Sequence, residues 1–445
     1  MLGGNVFTDL LSLLNDTVAT IADPRNGSNK RYSMHDILLS SFSVFFIQSP
    51  SFLAFQRLMQ QERGINNGET LFAIDSIPTD GQLRNVMDKV APEVFRPTYR
   101  GVVEYLDRSG CLERFRSFAK TYLVALDGTG YFHSESIHCP YCTVSNHRDG
   151  RVSYAHSVLM PAIVKPHSAQ VIALEPEFIV PQDGHKKQDC EREAAKRWIA
   201  QIGREYAPYS VSLLGDDIYA CSPVVALAVE HRLHYIFVAK EQSHKHLYQE
   251  IASFELLGEV SHLRKTKREG TKNRTYHYRY VNEVALKDGS EAPRVNWGEL
   301  TITNETGRII FRSAFISDHR IDEETVVDLV EAGRCRWKIE NEDFNTLKTK
   351  GYHFEHNFGH GKQHLSQTLL TLNVVAFLFH TVLELLDQRC KYLRDSLPRR
   401  DMFFQHIGAL THYLCFAGWQ SLLEFMIRAI RDGPAPPPDP RMIIQ

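Results

Sequence analysis

The sequence has little excess of charge and no regular spacing of cysteines. It contains 51 Lys and Arg against 53 Asp and Glu, a formal net charge of −2. The chain as a whole therefore has no electrostatic preference for nucleic acid, and any such preference must come from a local patch. The eight cysteines are scattered except for the pair Cys139 and Cys142. This scatter excludes the disulfide framework of a small secreted domain and predicts a reducing, cytoplasmic setting.

Signals for secretion and for membrane insertion are also missing. The N-terminus does not have the basic and then continuously apolar layout of a secretory signal. The most apolar late stretch, 369–386, is interrupted by four polar residues, Asn373, His380, Thr381 and Glu384. These groups would need partners in a lipid bilayer, so the stretch is predicted to be a buried helix of a soluble domain.

The chain is too long, at 445 residues, for one ordinary globular core. Its apolar periodicity changes from helical to alternating strand and helix, and then back to helical. These changes predict five segments: a helical N-terminal region (1–118), the first part of an α/β core (119–254), a β-rich insertion (255–318), the completion of the core (319–390) and a helical C-terminal region with a Pro-rich tail (391–445).

The helical regions contain recognisable starts and stops. In the N-terminal region the periodicity predicts helices at 36–46, 52–63 and 79–90. Thr79 and Gln82 have the spacing of a capping box, which predicts that the third helix begins there. A long helix is predicted at 363–389.

The α/β core follows a definite order of elements. A run of β-branched and apolar residues ends in Leu126-Asp127-Gly128, the form of a buried central strand. Further elements follow in the order strand, strand, helix, strand, helix, strand, at 153–164, 169–180, 190–206, 210–217, 222–232 and 234–240. Three successive strands followed by alternating helix and strand predict a mixed α/β sheet.

Two strands of this core end in an acid, Asp127 and Asp216. If the strands are parallel neighbours, both carboxylates lie at the carboxyl edge of the sheet, where ligands usually bind. Two carboxylates this close repel each other unless a divalent cation neutralises them. Ligation by oxygen alone favours Mg²⁺ or Mn²⁺ and predicts a phosphoryl-transfer centre with two metal ions.

A third carboxylate is expected on the helix around RCRWKIENEDFNTLK. Glu340 is four residues after Arg336 and shares a helix face with it. Glu342 points about 200° away from Glu340 around a helix, so only one of the two can face the metal ions. Glu340 is preferred because Phe344 and Leu347 continue its side of the helix, and Glu342 stays open as the alternative.

These residues resemble a known family. The order strand-Asp, strand-Asp, helix-Glu is similar to the ribonuclease-H-like core of bacterial insertion-sequence transposases, in the branch with a β-domain inserted between the second Asp and the Glu. GDDIY (215–219) resembles the second-acid motif of that family, with Asp216 rather than Asp217 at the catalytic position. Arg336-Trp337-x-Ile-Glu340 resembles the Arg-x-x-x-Glu part of its Tyr-Arg-Glu-Lys signature, and Lys348 lies one residue after the position of the signature Lys.

The resemblance implies a metal-dependent DNA transposase, bacterial and associated with the nucleoid. Asp127, Asp216 and Glu340 would hold two Mg²⁺ or Mn²⁺ ions, and Arg336 and Lys348 would contact DNA phosphates. The enzyme would cut at the terminal inverted repeats of a mobile element and join the 3′-hydroxyl ends to target DNA, as a homodimer on DNA with the helical N-terminal region binding the ends. Two alternatives stay open, another ribonuclease-H-like metal-dependent nuclease and a catalytically silent DNA-binding protein.

A basic stretch in the β-rich insertion is the local patch that the net charge does not reveal. Residues 262–280 carry seven Lys and Arg against one Glu, interleaved with tyrosines. Such a strip is predicted to follow DNA phosphates, although an ordinary solvated hairpin has the same composition. The candidate DNA-binding residues are Arg264, Lys265, Lys267, Arg268 and Arg274, together with Lys240 at the end of the last core strand. Trp297, in the same insertion, is expected to be a packed core residue rather than a platform for a base.

Three smaller motifs allow more than one interpretation. Cys139-Pro-Tyr-Cys142 spells a redox dithiol or half of a zinc site with His133, His138 or His147, and an unmetallated turn is at least as plausible. The histidine-rich stretch 351–366 is a DNA-contacting loop containing His360 and Lys362, or a solvated turn. The acids in 182–191 precede a helix, where its dipole favours them, and that role suffices for them.

Overall fold

The computed structural model describes residues 5–26, 30–181 and 189–432. The chain divides into two compact units. The helical unit combines the two ends of the chain, Met1–Cys111 and Thr346–Gln445, and the sheet unit is the continuous segment Leu112–Asn345. The predicted Pro-rich tail lies outside the described residues, as does most of the acidic stretch 182–191.

In the N-terminal part of the helical unit, the residues that the structure describes form six α-helices. The Ser33 side chain caps the second by accepting from the Asp36 amide, and the Thr79 side chain caps the fifth, as its spacing predicted. The single helix predicted at 52–63 is wrong, because the chain breaks into two helices that cross at Gly64. A side chain there would lie 2.2 Å from the Leu58 carbonyl oxygen. The helices are α1 (Val6–Ala19), α2 (Met34–Phe46), α3 (Phe52–Met59), α4 (Glu62–Phe72), α5 (Asp80–Met87) and α6 (Arg96–Arg108).

The described residues of the sheet unit form one mixed sheet of eleven strands. The long second strand of the core, Val152–Val164, is antiparallel to the first, Tyr122–Ser134. The strands are β1 (Tyr122–Ser134), β2 (Thr143–Asn146), β3 (Val152–Val164), β4 (Ile172–Ala173), β5 (Glu177–Ile179), β6 (Val211–Gly215), β7 (His234–Val238), β8 (Ser261–Glu269), β9 (Lys272–Ala285), β10 (Arg294–Thr303) and β11 (Ile309–Ser317).

The central strands have the order expected from the sequence. β4 and β5 pair with β3, β3 pairs antiparallel with β1, and β1, β6 and β7 are parallel neighbours. The prediction of a mixed α/β sheet is confirmed. β2, which the sequence showed only as a turn-rich link, forms a hairpin with β3.

Helices connect the parallel strands. The one predicted at 190–206 is present, but it is interrupted by a π-helical turn after Trp198. The next helix begins at Ser222, and Cys221 occupies the cap position without a side-chain hydrogen bond. The helices are α7 (Glu191–Trp198), α8 (Arg204–Tyr206), α9 (Ser222–Glu230) and α10 (Lys245–Leu257).

The β-rich segment between Asp216 and Glu340 is an antiparallel meander of β8, β9, β10 and β11. β11 pairs antiparallel with β7, so the meander extends the central sheet, and β8 is its free edge. The chain then continues through α11 (Val326–Arg334), a π-helical turn (Ile339–Phe344) and α12 (Asn345–Thr349).

The C-terminal part of the helical unit contains α13 (Leu365–Leu386), α14 (Gln388–Ser396), α15 (Arg400–Tyr413) and α16 (Trp419–Asp432). The Asp88 side chain accepts from the amides of Lys362, Gln363 and Leu365 and thereby caps α13. Among the described residues α13 is the one helix long and apolar enough to cross a membrane, and 83% of its apolar window is buried inside the protein. This burial agrees with the predicted core helix of a soluble protein.

Candidate active site

Asp127 and Asp216 lie side by side at the carboxyl edge of the sheet. The parallel pairing of β1 and β6 ends at Ala125 and Leu214, two residues before each acid, so the same register places the acids opposite one another. The two strands are thus parallel neighbours, the condition under which the sequence predicted adjacent carboxylates. The prediction that the first strand ends at Asp127 is wrong, because β1 continues to Ser134 in its pairing with β3. Asp127 Oδ1 accepts from the Gly128 amide at 3.0 Å, and Asp216 Oδ1 accepts from the Asp217 amide at 2.7 Å.

Arg336 links Asp127 to Glu340. Its Nη1 lies 3.0 Å from Asp127 Oδ2 and 2.8 Å from Glu340 Oε1. Glu340 is at the second position of the π-helical turn, a type of distortion that is frequent at functional sites. Because Glu340 shares the guanidinium with Asp127, this carboxylate is on the side of the helix that faces the strand ends.

A fourth carboxylate, Glu191, belongs to the same cluster. Glu191 Oε2 occupies the space beside Gly128. A Cβ atom at position 128 would lie only 2.4 Å from this oxygen. The Tyr219 hydroxyl donates to Glu191 Oε1 at 2.6 Å. Gly215 makes room for Tyr219 in the same way, since a side chain there would lie 2.6 Å from the tyrosine ring. Each strand acid therefore has a glycine neighbour that admits a second residue to the site.

This role of Glu191 is not predicted by the sequence. The acids of 182–191 are explained there by the start of a helix, and Glu191 is indeed the first residue of α7. The available signal was the pair of glycines, Gly128 after the first acid and Gly215 before the second. A buried strand tolerates glycine poorly unless another group approaches the backbone closely.

The site has an excess of negative charge. Burial raises the pKa of Asp127 to about 7, and the nearby carboxylates of Glu191 and Glu340 add to this shift, whereas Arg336 opposes it. Burial and Glu191 also raise the pKa of Tyr219 well above its ordinary value, so its hydroxyl stays protonated.

Two cations face the four carboxylates. They are Arg336 and Lys240, whose Nζ is 3.5 Å from Asp216 Oδ1. The carboxylates outnumber these cations, so the site attracts further positive charge.

The donor chemistry of the cluster suits a hard divalent cation, because every donor is a carboxylate oxygen. The described residues do contain clusters whose ligand atoms all lie within 4.8 Å of one another, but Asp127, Asp216 and Glu340 are not among them. Arg336 bridges two of these three acids instead. Binding of a cation by all three therefore requires the Arg336 side chain to move away from them.

Asp217 has a different environment from its neighbour Asp216. Asp217 Oδ1 accepts from the Lys240 amide at 2.6 Å and lies 3.2 Å from His244 Nε2. Asp217 thus holds the loop that follows β7. This contact explains why two successive acids are present and leaves Asp216 as the one beside Asp127.

The other candidate DNA-binding residues make contacts of their own or are exposed. Lys348 pairs with Glu355 at 2.8 Å in the helical unit. Arg274, on β9, pairs with Glu269 at 2.5 Å. The other four are exposed on the edge strand β8, where basic side chains also prevent pairing with another sheet: Arg264, Lys265, Lys267 and Arg268. Trp297 is entirely buried, so its predicted place in the core is confirmed.

The histidine beside Cys139 and Cys142 is His156, on β3. Its Nε2 lies 3.2 Å from Cys139 Sγ and 3.0 Å from Cys142 Sγ. The predicted histidine partners are wrong: the ring of His138 stacks on Tyr154, the Nε2 of His147 lies 2.8 Å from Ser153 Oγ, and His133 is exposed. The β2–β3 register pairs Thr143 with Ala155 and so brings the next residues, Cys142 and His156, together. The sequence does not reveal this register.

Comparison with known proteins finds no family model that matches this chain and no curated protein that matches it. The geometry of the site therefore carries the functional conclusion. The cluster places four carboxylates beside two basic side chains, and its oxygen donors suit a hard divalent cation only once Arg336 has moved away.

Proposed function

We propose that this protein is a ribonuclease-H-like DNA transposase whose catalytic residues are Asp127, Asp216 and Glu340. The observation that carries the proposal is the meeting of the three acids. Asp127 and Asp216 lie opposite one another just beyond the last paired residues of the parallel strands β1 and β6, and Arg336 joins Asp127 to Glu340. Three acids separated by 89 and 124 residues in the sequence are brought to one sheet edge.

The arrangement of strands supports the same proposal. The order β4/β5, β3, β1, β6, β7, antiparallel in its first half and parallel in its second, resembles a ribonuclease-H-like core. The meander β8–β11 lies between the second acid and the third, as in the transposase branch that the sequence resembles. Neither the order of the strands nor the presence of the meander depends on the contacts of the acidic side chains.

Two Mg²⁺ or Mn²⁺ ions are the proposed cofactors, held by Asp127, Asp216 and Glu340. When bound, they would activate the attacking oxygen and stabilise the leaving oxygen of the phosphodiester. Glu191 adds negative charge beside Asp127 and is positioned by Tyr219. Once released from the carboxylates, Arg336 is free to bind a DNA phosphate, and Lys240 is placed to do the same next to Asp216.

The proposed reaction has two phosphoryl transfers. Water attacks the phosphodiester at the end of the element, and the deoxyribose 3′-hydroxyl leaves. That 3′-hydroxyl then attacks a phosphodiester of target DNA and displaces another 3′-hydroxyl, so the number of phosphodiester bonds is conserved in the second step. Catalysis of this kind depends on positioning and on charge neutralisation. We place the reaction in the bacterial cytoplasm at the nucleoid, with two copies of the chain on the paired DNA ends and with Lys348 and the N-terminal helices contacting DNA.

The test begins with the DNA that flanks the coding sequence. Inverted repeats that bound it supply the substrate, which is made as a labelled duplex and incubated with the full chain, target plasmid and Mg²⁺ or Mn²⁺. Cleavage at the repeat and covalent joining to the plasmid are both expected, and neither is expected from Asp127→Asn or Asp216→Asn. Asp217→Asn is the matched control; it changes the adjacent acid and is expected to keep cleavage.

Two results would contradict the proposal in different ways. Cleavage without joining, with a pre-cut 3′-hydroxyl end supplied, would identify a nuclease. DNA binding with no metal-dependent cleavage, unchanged in Asp127→Asn, would identify a silent DNA-binding protein.

A further inference from the structure

A second group of potential metal ligands lies between β1 and β3 of the sheet unit. The sulfur atoms of Cys139 and Cys142 are 3.7 Å apart, and His156 Nε2 is within 3.2 Å of both. These ligands are two thiols and an imidazole, in contrast to the carboxylates of the acidic cluster. Thiolate and imidazole together select zinc over magnesium or manganese.

The separations between these atoms match tetrahedral zinc. With zinc–sulfur and zinc–nitrogen bonds of about 2.3 and 2.0 Å, tetrahedral angles place two sulfurs about 3.8 Å apart and a sulfur and a nitrogen about 3.6 Å apart. The two sulfurs already have this spacing, at 3.7 Å. The sulfur–nitrogen distances of 3.2 and 3.0 Å require an opening of about half an ångström, which a rotation of the cysteine side chains supplies.

The backbone around the cysteines is shaped for a metal rather than for redox chemistry. The Cys142 amide donates to the Cys139 carbonyl at 3.2 Å, which closes a turn, and the Cys139 amide points at Cys142 Sγ at 3.3 Å. A redox dithiol of the glutaredoxin type opens a helix, whose dipole lowers the thiol pKa. Here the turn lies between two strands and opens no helix.

The third ligand is held rigidly. His156 is on β3, opposite Phe132 of β1, and is only 2% exposed. Its Nδ1 is 3.0 Å from the Tyr131 hydroxyl, so Nε2 is the nitrogen directed at the sulfurs. Metal-binding histidines characteristically have such a partner on the second nitrogen, which fixes the orientation of the ring.

We propose that Cys139, Cys142 and His156 bind one structural zinc ion. The fourth position of the tetrahedron is taken by water or by another donor. The metal fastens the segment between β1 and β2 to the buried part of β3. Binding releases the two thiol protons and leaves the oxidation state of the sulfurs unchanged. This inference does not depend on the proposed transposase activity, because a structural zinc is compatible with any function of the acidic cluster.

Metal content tests the proposal. The full chain, purified under reducing conditions and passed through a weak chelator, is expected to contain close to one zinc per chain by mass spectrometry. Cys142→Ser and His156→Gln are expected to lose it. Cys415→Ser and His133→Gln are the matched controls, because both residues are exposed and outside the trio, and both variants are expected to retain zinc.

A measurement on the unmodified protein covers the case in which the variants do not fold. Replacing zinc by Co²⁺ is expected to give the intense visible absorption of a tetrahedral thiolate site, while Asp127→Asn leaves that spectrum unchanged. Zinc retained in Cys142→Ser, or an unmodified chain without zinc and with both thiols free or in a disulfide, would overturn the proposal. If Asp127→Asn loses Mn²⁺ binding but retains zinc, the zinc site is separate from the acidic cluster.

Discussion

The Tyr219 hydroxyl donates a 2.6 Å hydrogen bond to Glu191 Oε1, from a side chain that is entirely buried. The bond fixes the Glu191 carboxylate in the space that Gly128 leaves open beside Asp127. A carboxylate held in this way adds to the negative field that a cation would meet, so Tyr219 acts as a positioning residue for the site.

Tyr219→Phe removes that hydrogen bond and keeps the ring. We expect metal-dependent cleavage to fall roughly 10–100-fold, the usual cost of losing an outer partner of a metal site. The loss is expected to appear as a higher concentration of Mn²⁺ for half-maximal activity. Tyr209→Phe is the control. An unchanged Mn²⁺ requirement in Tyr219→Phe would show that Glu191 does not contribute to binding of the cation.

Glu340 and Glu342 differ in their contacts with the cluster. Glu340 shares Arg336 with Asp127, at 2.8 Å from its Nη1. We therefore expect Glu340→Gln to abolish cleavage while DNA binding persists, and Glu342→Gln to retain activity within a few-fold. Both variants and the unmodified protein are titrated with Mn²⁺ in a calorimeter. This measurement separates loss of metal binding from loss of folding. The reverse ranking would move the third acid to Glu342.

The buried carboxyl of Asp127 is expected to destabilise the metal-free folded protein at high pH. Its pKa is raised to about 7, so in the folded state it binds a proton that an unfolded chain releases near pH 4. Its stabilising contribution is complete below pH 4 and is lost as the pH rises through 7. Without metal at pH 8, Asp127→Asn should be more stable by about 2 kcal/mol, less than the full shift implies because Arg336 loses a partner.

Thermal unfolding in chelator at pH 5 and pH 8 measures this effect. The gain of Asp127→Asn over the unmodified protein should be larger at pH 8, and added Mn²⁺ should stabilise only the unmodified protein. Equal gains at both pH values would mean that Asp127 does not titrate in this range.

The sequence predicted the part of the site that depends on regular structure. The strands that carry Asp127 and Asp216 were expected from their apolar residues, and their parallel pairing brings the two acids to one place. The expected end of the first strand at Asp127 is wrong, because β1 continues to Ser134 along β3. Trp297 is entirely buried, as expected for a packed core residue of the insertion.

The missed features depend on contacts between distant segments. Glu191 joins the site because Gly128 lacks a side chain, and His156 meets Cys142 because of the register of one hairpin. Neither a gap left by a missing side chain nor a strand register leaves a periodic signal in the sequence. The break between α3 and α4 has a similar origin, a close crossing at Gly64 that overrides helical periodicity.

The exposed arginines of β8 are expected to supply the salt-dependent part of DNA affinity. Lys265 pairs across the ladder with the buried Tyr276 and therefore shares its face, whereas Arg264 and Arg268 point to the opposite face. Log affinity falls linearly with log salt concentration, and each lost phosphate contact should reduce the steepness of this fall by about 0.9. We expect the double variant Arg264→Ala/Arg268→Ala to lower it by about two, measured by fluorescence anisotropy with a duplex.

The control for this variant is Arg232→Ala. Arg232 is exposed on the loop that enters β7, at the edge of the sheet opposite to the acids. Its replacement should leave the slope unchanged. An equal slope in all three proteins would restrict the role of the β8 cations to preventing sheet-to-sheet pairing.

Asp343, one turn beyond Glu340, is expected to make stability depend on pH. It is fully buried, neither carboxylate oxygen has a hydrogen-bond partner among the described residues, and burial raises its pKa to about 8. Between about pH 4 and pH 8 the folded chain holds a proton that the unfolded chain releases, so stability falls by about 1.4 kcal/mol per pH unit from this group.

Asp343→Asn cannot ionise and should remove that dependence. The thermal midpoint of the variant is expected to exceed that of the unmodified protein by a margin that widens from pH 5 to pH 8, because the unmodified carboxyl becomes increasingly costly to keep buried. Asp107→Asn, at an exposed position in α6, should show no such widening. A margin for Asp343→Asn that stays constant with pH would mean that the carboxyl has a compensating partner in the folded protein, and that its buried charge is not what limits stability at neutral pH.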